Sequence, residues 1–128
     1  MKRSLILSLL TVLIAGYFQL VCASSIRLGS LGVKIIGQSG DFVRYSFKLE
    51  VESIDKDGKI CVNMKALDSD GYEVTDTSIC GVLHAGNSTV ITDARLIRRE
   101  LAEKIESWVA TVPMYTSQTV SVPSPPLQ

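Results

Sequence analysis

From Val43 to Ser53 the chain alternates without a break. Val43, Tyr45, Phe47, Leu49 and Val51 are apolar, and Arg44, Ser46, Lys48, Glu50 and Glu52 between them are polar or charged. Successive side chains of a β-strand point to opposite faces, so this pattern specifies a strand with one dry face and one wet face. Strands buried on both faces read as continuous apolar runs instead, so the pairing expected here is antiparallel. At 128 residues the chain has room for one domain built around one hydrophobic core.

Other segments repeat the theme. Leu31 to Ile36 is a shorter apolar strand, followed by the turn residues Gly37-Gln38-Ser39-Gly40-Asp41. It is expected to pair with the long strand as a hairpin or to cross between sheets. After Asp55-Lys56-Asp57-Gly58, the residues Ile60, Val62, Met64 and Ala66 alternate with Lys59, Cys61, Asn63 and Lys65, a second long strand closed by Asp68-Ser69-Asp70-Gly71. A third β segment spans Tyr72 to Leu83, either one bent strand or two strands in different sheets. His84-Ala85-Gly86-Asn87 forms its turn, and Thr89 to Thr92 opens a fourth segment. Turns recur at the spacing of roughly 8 to 12 residues found in sandwiches and barrels.

After Asp93 the period changes. Ile97, Leu101, Ile105 and Trp108 form one apolar stripe at helical spacing, and Glu100 stands four residues before Lys104, so a short helix is expected from Arg95 to Ser107. Trp108, Ala110, Val112 and Met114 then alternate as a last strand. The fold class expected is a mainly β, immunoglobulin-like antiparallel sandwich over residues 24–115 with one short helix near its C-terminal end. Residues 116–128, rich in Ser, Thr, Gln, Val and Pro, read as a flexible tail that buries too little to order itself.

The start of the chain reads as a cleavable export signal over residues 1–23. Lys2 and Arg3 precede an apolar run from Leu5 to Ala15, and Val21-Cys22-Ala23 is a small-residue ending that places cleavage between Ala23 and Ser24. The location expected is therefore the periplasm or the extracellular medium. Two alternatives keep the protein on a membrane: an uncleaved anchor over Ser4 to Val21, diluted by Ser8, Thr11, Gly16 and Gln19, or lipidation of Cys22. The run Gln19-Leu20-Val21-Cys22 departs from the Leu-Ala-Gly-Cys that a lipobox resembles. The chain carries 13 basic and 13 acidic side chains, and loss of Lys2 and Arg3 leaves about −2, a balance that argues against a nucleic-acid partner.

Losing Cys22 leaves Cys61 and Cys80 as an even pair in an oxidising compartment, which points to a single disulfide. Neither cysteine has the CxxC spacing of a redox pair. Cys61 falls between Ile60 and Val62 and so points away from the buried face of its strand. A tight turn at Asp68 to Gly71 sets Cys61 opposite residue 78, so pairing with Cys80 requires a bulge or a two-residue shift of register, with the bridge near one edge of the sandwich.

The order of elements resembles the FxLYD-type domain family, small immunoglobulin-like modules of exported or membrane-attached prokaryotic proteins. The likeness covers Val33 to Met114. Met64-Lys65-Ala66-Leu67-Asp68 occupies the place of the family's Phe-x-Leu-Tyr-Asp, with Gly71 and Val74 after it. Of the named motif only the Asp is retained, and the other replacements stay apolar. The resemblance implies a β-sandwich used as an extracytoplasmic module without an established catalytic site.

Candidate sites are few. Asp55 and Asp57, with Asp68 and Asp70, offer the paired oxygens that Ca²⁺ prefers, yet neither turn continues to an EF-hand loop, and Asp-Gly is also what tight turns select. A shared calcium site would need both turns at one end of the sandwich. His84, the lone histidine, lies in a turn, and nearby Ser78 and Ser88 lack the glycine pattern of a nucleophile elbow. Arg95, Arg98, Arg99 and Lys104 are the densest basic cluster, interleaved with Glu100, Glu103 and Glu106 as on a solvated helix face. Asn87-Ser88-Thr89 fits an N-glycosylation sequon. The expectation is a non-enzymatic exported module, without catalytic residues, cofactor or metal, that contacts another envelope or extracellular protein through a sheet edge and loops or serves as a structural envelope component, a spacer presenting its Pro-rich tail. The alternative is a small secreted hydrolase or a Ca²⁺-dependent binding protein using His84 and the acidic turns.

Overall fold

The computed structural model describes residues 25–127; the expected leader, its cleavage point at Ala23 and Ser24, and Cys22 lie outside the described residues. Seven strands and one helical turn build two antiparallel sheets. Strands β1 (Ile26–Ser39), β2 (Phe42–Ser53) and β5 (Ser88–Arg98) form the first, in the order β1-β2-β5. Strands β3 (Gly58–Leu67), β4 (Glu73–Leu83), β6 (Ser107–Thr111) and β7 (Thr119–Pro123) form the second, in the order β4-β3-β6-β7. The turn α1 (Arg99–Ala102) carries the chain from β5 across to β6.

The alternation that opened the sequence produces the core directly. Val43, Tyr45, Phe47, Leu49 and Val51 of β2 are fully buried and face Ile60, Val62, Met64 and Ala66 of β3. Each such aliphatic or aromatic side chain contributes about 1.5 to 3 kcal/mol by leaving water. Trp108 of β6 is the largest buried group, with its ring edge-on to Phe47 at 4.8 Å and tilted against Tyr45 at 5.3 Å. Its indole N–H donates to Ser124 Oγ at 3.2 Å, so the one polar atom of the ring is satisfied.

The helix expected over Arg95–Ser107 is corrected by the structure. β5 continues through Arg98, paired with β2 from Glu52↔Ser88 to Phe42↔Arg98, and only Arg99–Ala102 is helical. The open edge of β2 holds a full row of backbone donors and acceptors, and a strand satisfies that row where a helix would leave it bare. Ile97, Ile105 and Trp108 all face the core, but from β5, the turn after α1 and β6 in succession. Their spacing of four and three arises from a chain changing sheets. In place of the expected Glu100–Lys104 pair, Glu100 meets Arg98 at 3.5 Å on the surface.

The flexible tail expected at residues 116–128 is corrected as well. Thr119–Pro123 is β7, registered on β6 from Thr111↔Thr119 to Ser107↔Pro123. Val120, Val122 and Leu127 pack partly buried on the core, and Ser124 N donates to Glu106 O at 2.8 Å. A segment too polar to fold alone is ordered by the strand already present beside it. The first strand is also longer than Leu31 to Ile36, with register shifts between Leu28 and Leu31 and between Ile35 and Gly37 that break its apolar period.

Of the segment Tyr72 to Leu83, Glu73–Leu83 forms one strand, β4, in the sheet of β3. Cys61 lies directly opposite Cys80 and is bridged to it, with Cα atoms 4.1 Å apart. The required shift of two residues has two sources: a loop one residue longer than a tight turn, which pairs Leu67 with Glu73, and a bulge between Ala66 and Leu67. As parity requires, Cys61 lies exposed on the outer face, and β4 is the edge strand of its sheet.

Candidate functional site

The sandwich end where β2 leaves and β5 enters gathers Asp55, Asp57, His84 and the Asn87-Ser88-Thr89 sequon. Ser53 is buried and ties three segments together there. Its hydroxyl donates to Lys56 O at 2.6 Å and accepts from Lys56 N at 3.0 Å, closing the turn into β3. Its backbone N–H donates to Asn87 O and its carbonyl accepts from Gly86 N, both at 2.9 Å, which docks the His84–Asn87 turn onto the same point. Asp57 Oδ1 accepts from Ala85 N at 2.9 Å across the gap, and Lys56 Nζ stands 4.8 Å over the Tyr115 ring.

The second acidic turn lies elsewhere. Asp68 Oδ1 accepts from Asp70 N and Tyr72 N, both at 2.9 Å, an Asx-type turn in which Gly71 takes the positive φ of 84° that a side chain resists. Asp55 and Asp57 precede β3 whereas Asp68 and Asp70 follow it, so a ten-residue strand, roughly 30 Å long, separates the two turns. The condition for a shared calcium site, both turns at one end, is not met. Among the described residues no group of three or more His, Cys, Asp or Glu side chains is placed to hold a metal ion. His84 is exposed in its turn, contributing its carbonyl to Asn87 N at 3.1 Å, while Ser78 lies within β4 and Ser88 begins β5.

The basic cluster is dispersed by the fold. Arg95 shares the inward parity of Ile91 and Ile97 but sits where β5 borders the edge strand β4. It pairs with Asp93 at 2.8 Å and donates to Ser78 O at 2.8 Å, joining one sheet to the other. The Arg95 guanidinium beside Asp93, with Ala94 N–H adding to it, holds that carboxyl below its ordinary range. Arg99 instead secures α1 to the β1–β2 hairpin, through Nε to Gly40 O at 3.0 Å and Nη1 to Gln38 Oε1 at 3.2 Å. Arg98 and Arg99, with Asp41, Phe42 and Glu100, line an open groove of about 510 Å³ beside that hairpin.

Comparison with family models and with curated proteins finds no match to this chain.

Two features escaped sequence reasoning. The hydroxyl of Tyr45 is buried without a hydrogen bond of good geometry, and burial pushes its pKa up, with the nearby Ser124 hydroxyl opposing weakly. Nothing in a strand's alternation reveals whether a phenol finds a partner. The second is a set of apolar side chains left on the wet face of the first sheet: Phe42, Val90 and Leu96 are 45%, 50% and 58% exposed. Sequence alternation marks each as apolar, but only the β2–β5 register puts them on one surface.

Proposed function

We propose that the chain is an exported, non-enzymatic β-sandwich module of immunoglobulin-like type that binds another protein of the cell envelope or the extracellular space. The Cys61–Cys80 bridge carries this reading. A disulfide exposed on an outer sheet face persists where thiols are not kept reduced, so an oxidising compartment is its natural setting. Among the described residues no helix is long and apolar enough to cross a membrane.

Strand order supports the immunoglobulin-like reading. The ladders β1-β2-β5 and β3-β6-β7 are those of a constant-type sandwich, with the fourth strand paired to β3 in place of β5. The resemblance to FxLYD-type modules points the same way. The singled-out polar groups have structural roles, Asp57 and Asp68 in holding turns and Arg95 and Arg99 in joining elements.

Intact mass of the protein recovered from its own host, before and after reduction and alkylation, tests export. The expected species begins at Ser24 and gains two alkyl groups only after reduction; Cys61 and Cys80 found as free thiols in the native protein would sink the proposal. Crosslinking in the intact envelope followed by detergent-free pulldown tests the binding role, and repeated recovery of no partner counts against it.

A further inference from the structure

The two edges where the sheets meet are already occupied. Arg95 covers the Ser78 carbonyl on the edge strand β4, an inward-pointing charge of the kind that blocks further strand pairing. At the opposite edge Gln118 Oε1 accepts from Leu28 N at 3.0 Å, and Tyr115 O accepts from Ser25 N at 3.0 Å. Among the described residues nothing covers the outer face of the first sheet.

That face has a pattern along its length. On β2 the outward residues run Phe42, Arg44, Ser46, Lys48, Glu50, Glu52, and their partners on β5 run Arg98, Leu96, Ala94, Thr92, Val90, Ser88. On these two strands positive charge and the larger apolar groups gather at the hairpin end, with negative charge and Val90 at the other, where Arg27 of β1 stands opposite Glu52. Glu50 is further positioned by leaning over Gly29 of β1, its Cβ lying 3.1 Å from where a side chain there would begin. An acidic peptide would match the basic half and leave Glu50, Glu52 and Val90 unmatched.

A second copy matches the central residues Arg44, Glu50, Leu96 and Val90 with one another. We propose that the outer face of the first sheet is an isologous dimer contact, formed with another copy of this chain turned about a two-fold axis that lies across the strands near Phe47 and Asp93. Such an operation stacks β2 on β2 and β5 on β5 with directions reversed. Arg44 then faces Glu50 of the second copy and Glu50 faces its Arg44, while Leu96 faces Val90 and Val90 faces Leu96. Ser46 meets Lys48, Ala94 meets Thr92, and at the two ends Phe42 meets Glu52 and Arg98 meets Ser88. Each pairing occurs twice, as a closed two-fold contact requires. Three strands of this length offer a footprint of roughly 500 Å² per copy, below the approximately 800 Å² per partner of a standard interface, which places the dimer in the weak, concentration-dependent class.

Sedimentation velocity of the purified protein over a micromolar concentration series tests this contact, using R44E and E50R. Both positions are exposed, so folding is spared, and circular dichroism checks it. The wild type is expected to associate as concentration rises. Either variant alone sets like charges opposite each other and weakens association at least about tenfold. An equimolar mixture of the two restores it, because both cross-contacts again join opposite charges. A wild type that stays monomeric, dimers that survive both single variants, or a mixture that fails to associate would each overturn the proposal. A monomer that binds a poly-glutamate peptide, or one that binds vesicles rich in anionic lipid, would reassign the face to an acidic protein or to a membrane.

Discussion

At the residue scale, Trp108 and Tyr45 carry opposite expectations although they touch. Trp108 fills the centre of the core with its N–H satisfied, so Trp108→Ala leaves a large cavity and is expected to cost about 3 to 5 kcal/mol, read from urea denaturation. Tyr45 buries a hydroxyl without a good partner, and such a group costs about 1 to 3 kcal/mol. Tyr45→Phe should therefore leave stability unchanged or raise it by about 1 kcal/mol. The two proteins should also diverge in alkali. The unfolded tyrosine ionises near its ordinary pKa of 10.0 and the folded one above it, so Tyr45 makes stability fall as pH rises through that interval. Denaturation midpoints measured above pH 10 should show a shallower decline for Tyr45→Phe, and equal slopes would exclude Tyr45 as a source.

At the element scale, two segments are held by neighbours more than by their own composition. β4 approaches β5 so closely that a Cβ on Gly81 would lie 2.7 Å from Ile91 Cγ1, and Ile91 is itself buried. Gly81→Val is expected to cost about 1 to 3 kcal/mol through overpacking, measurable as a drop in thermal midpoint. β7 is the other case. A chain ending at Tyr115 loses the β6–β7 ladder, the Ser124 acceptor of Trp108 and the packing of Val120, Val122 and Leu127, and should lose about 3 kcal/mol or more. A dispensable tail would show no change, so chemical denaturation of the truncated chain separates the two outcomes. The segment Arg95–Ser107 belongs to this scale too: Ile97, Leu101, Ile105 and Trp108 carry a helical period, and nothing local tells that β2 has an edge waiting for a partner.

For the whole molecule, the contacts that close the sandwich join distant parts of the chain. Leu28 bonds to Gln118 across 90 residues, and Asp57 to Ala85 across 28. Non-local pairing of this kind delays folding until long loops close, so refolding is expected in milliseconds to seconds, and stopped-flow Trp108 fluorescence is a direct measure. The disulfide adds to this by linking two strands already adjacent in the hairpin. Replacing both Cys61 and Cys80 with Ser should cost about 3 kcal/mol in the chain-entropy account without changing the fold.

The sequence by itself determined the β class, the buried face of β2 and β3, the acidic turns and the outward placement of the disulfide, because strand parity and turn chemistry are local properties. Cysteine parity even anticipated that Asp68 to Gly71 alone was too tight. The tertiary structure decided the rest: that Arg95 to Arg98 extend a strand, that Thr119–Pro123 is ordered, and that Val90 and Leu96 of β5 share one face with Arg44 and Glu50 of β2. Each depends on which backbone lies alongside. A hydrogen-bonding edge or a neighbouring strand is supplied by residues far away in the chain, and no local pattern encodes where they arrive.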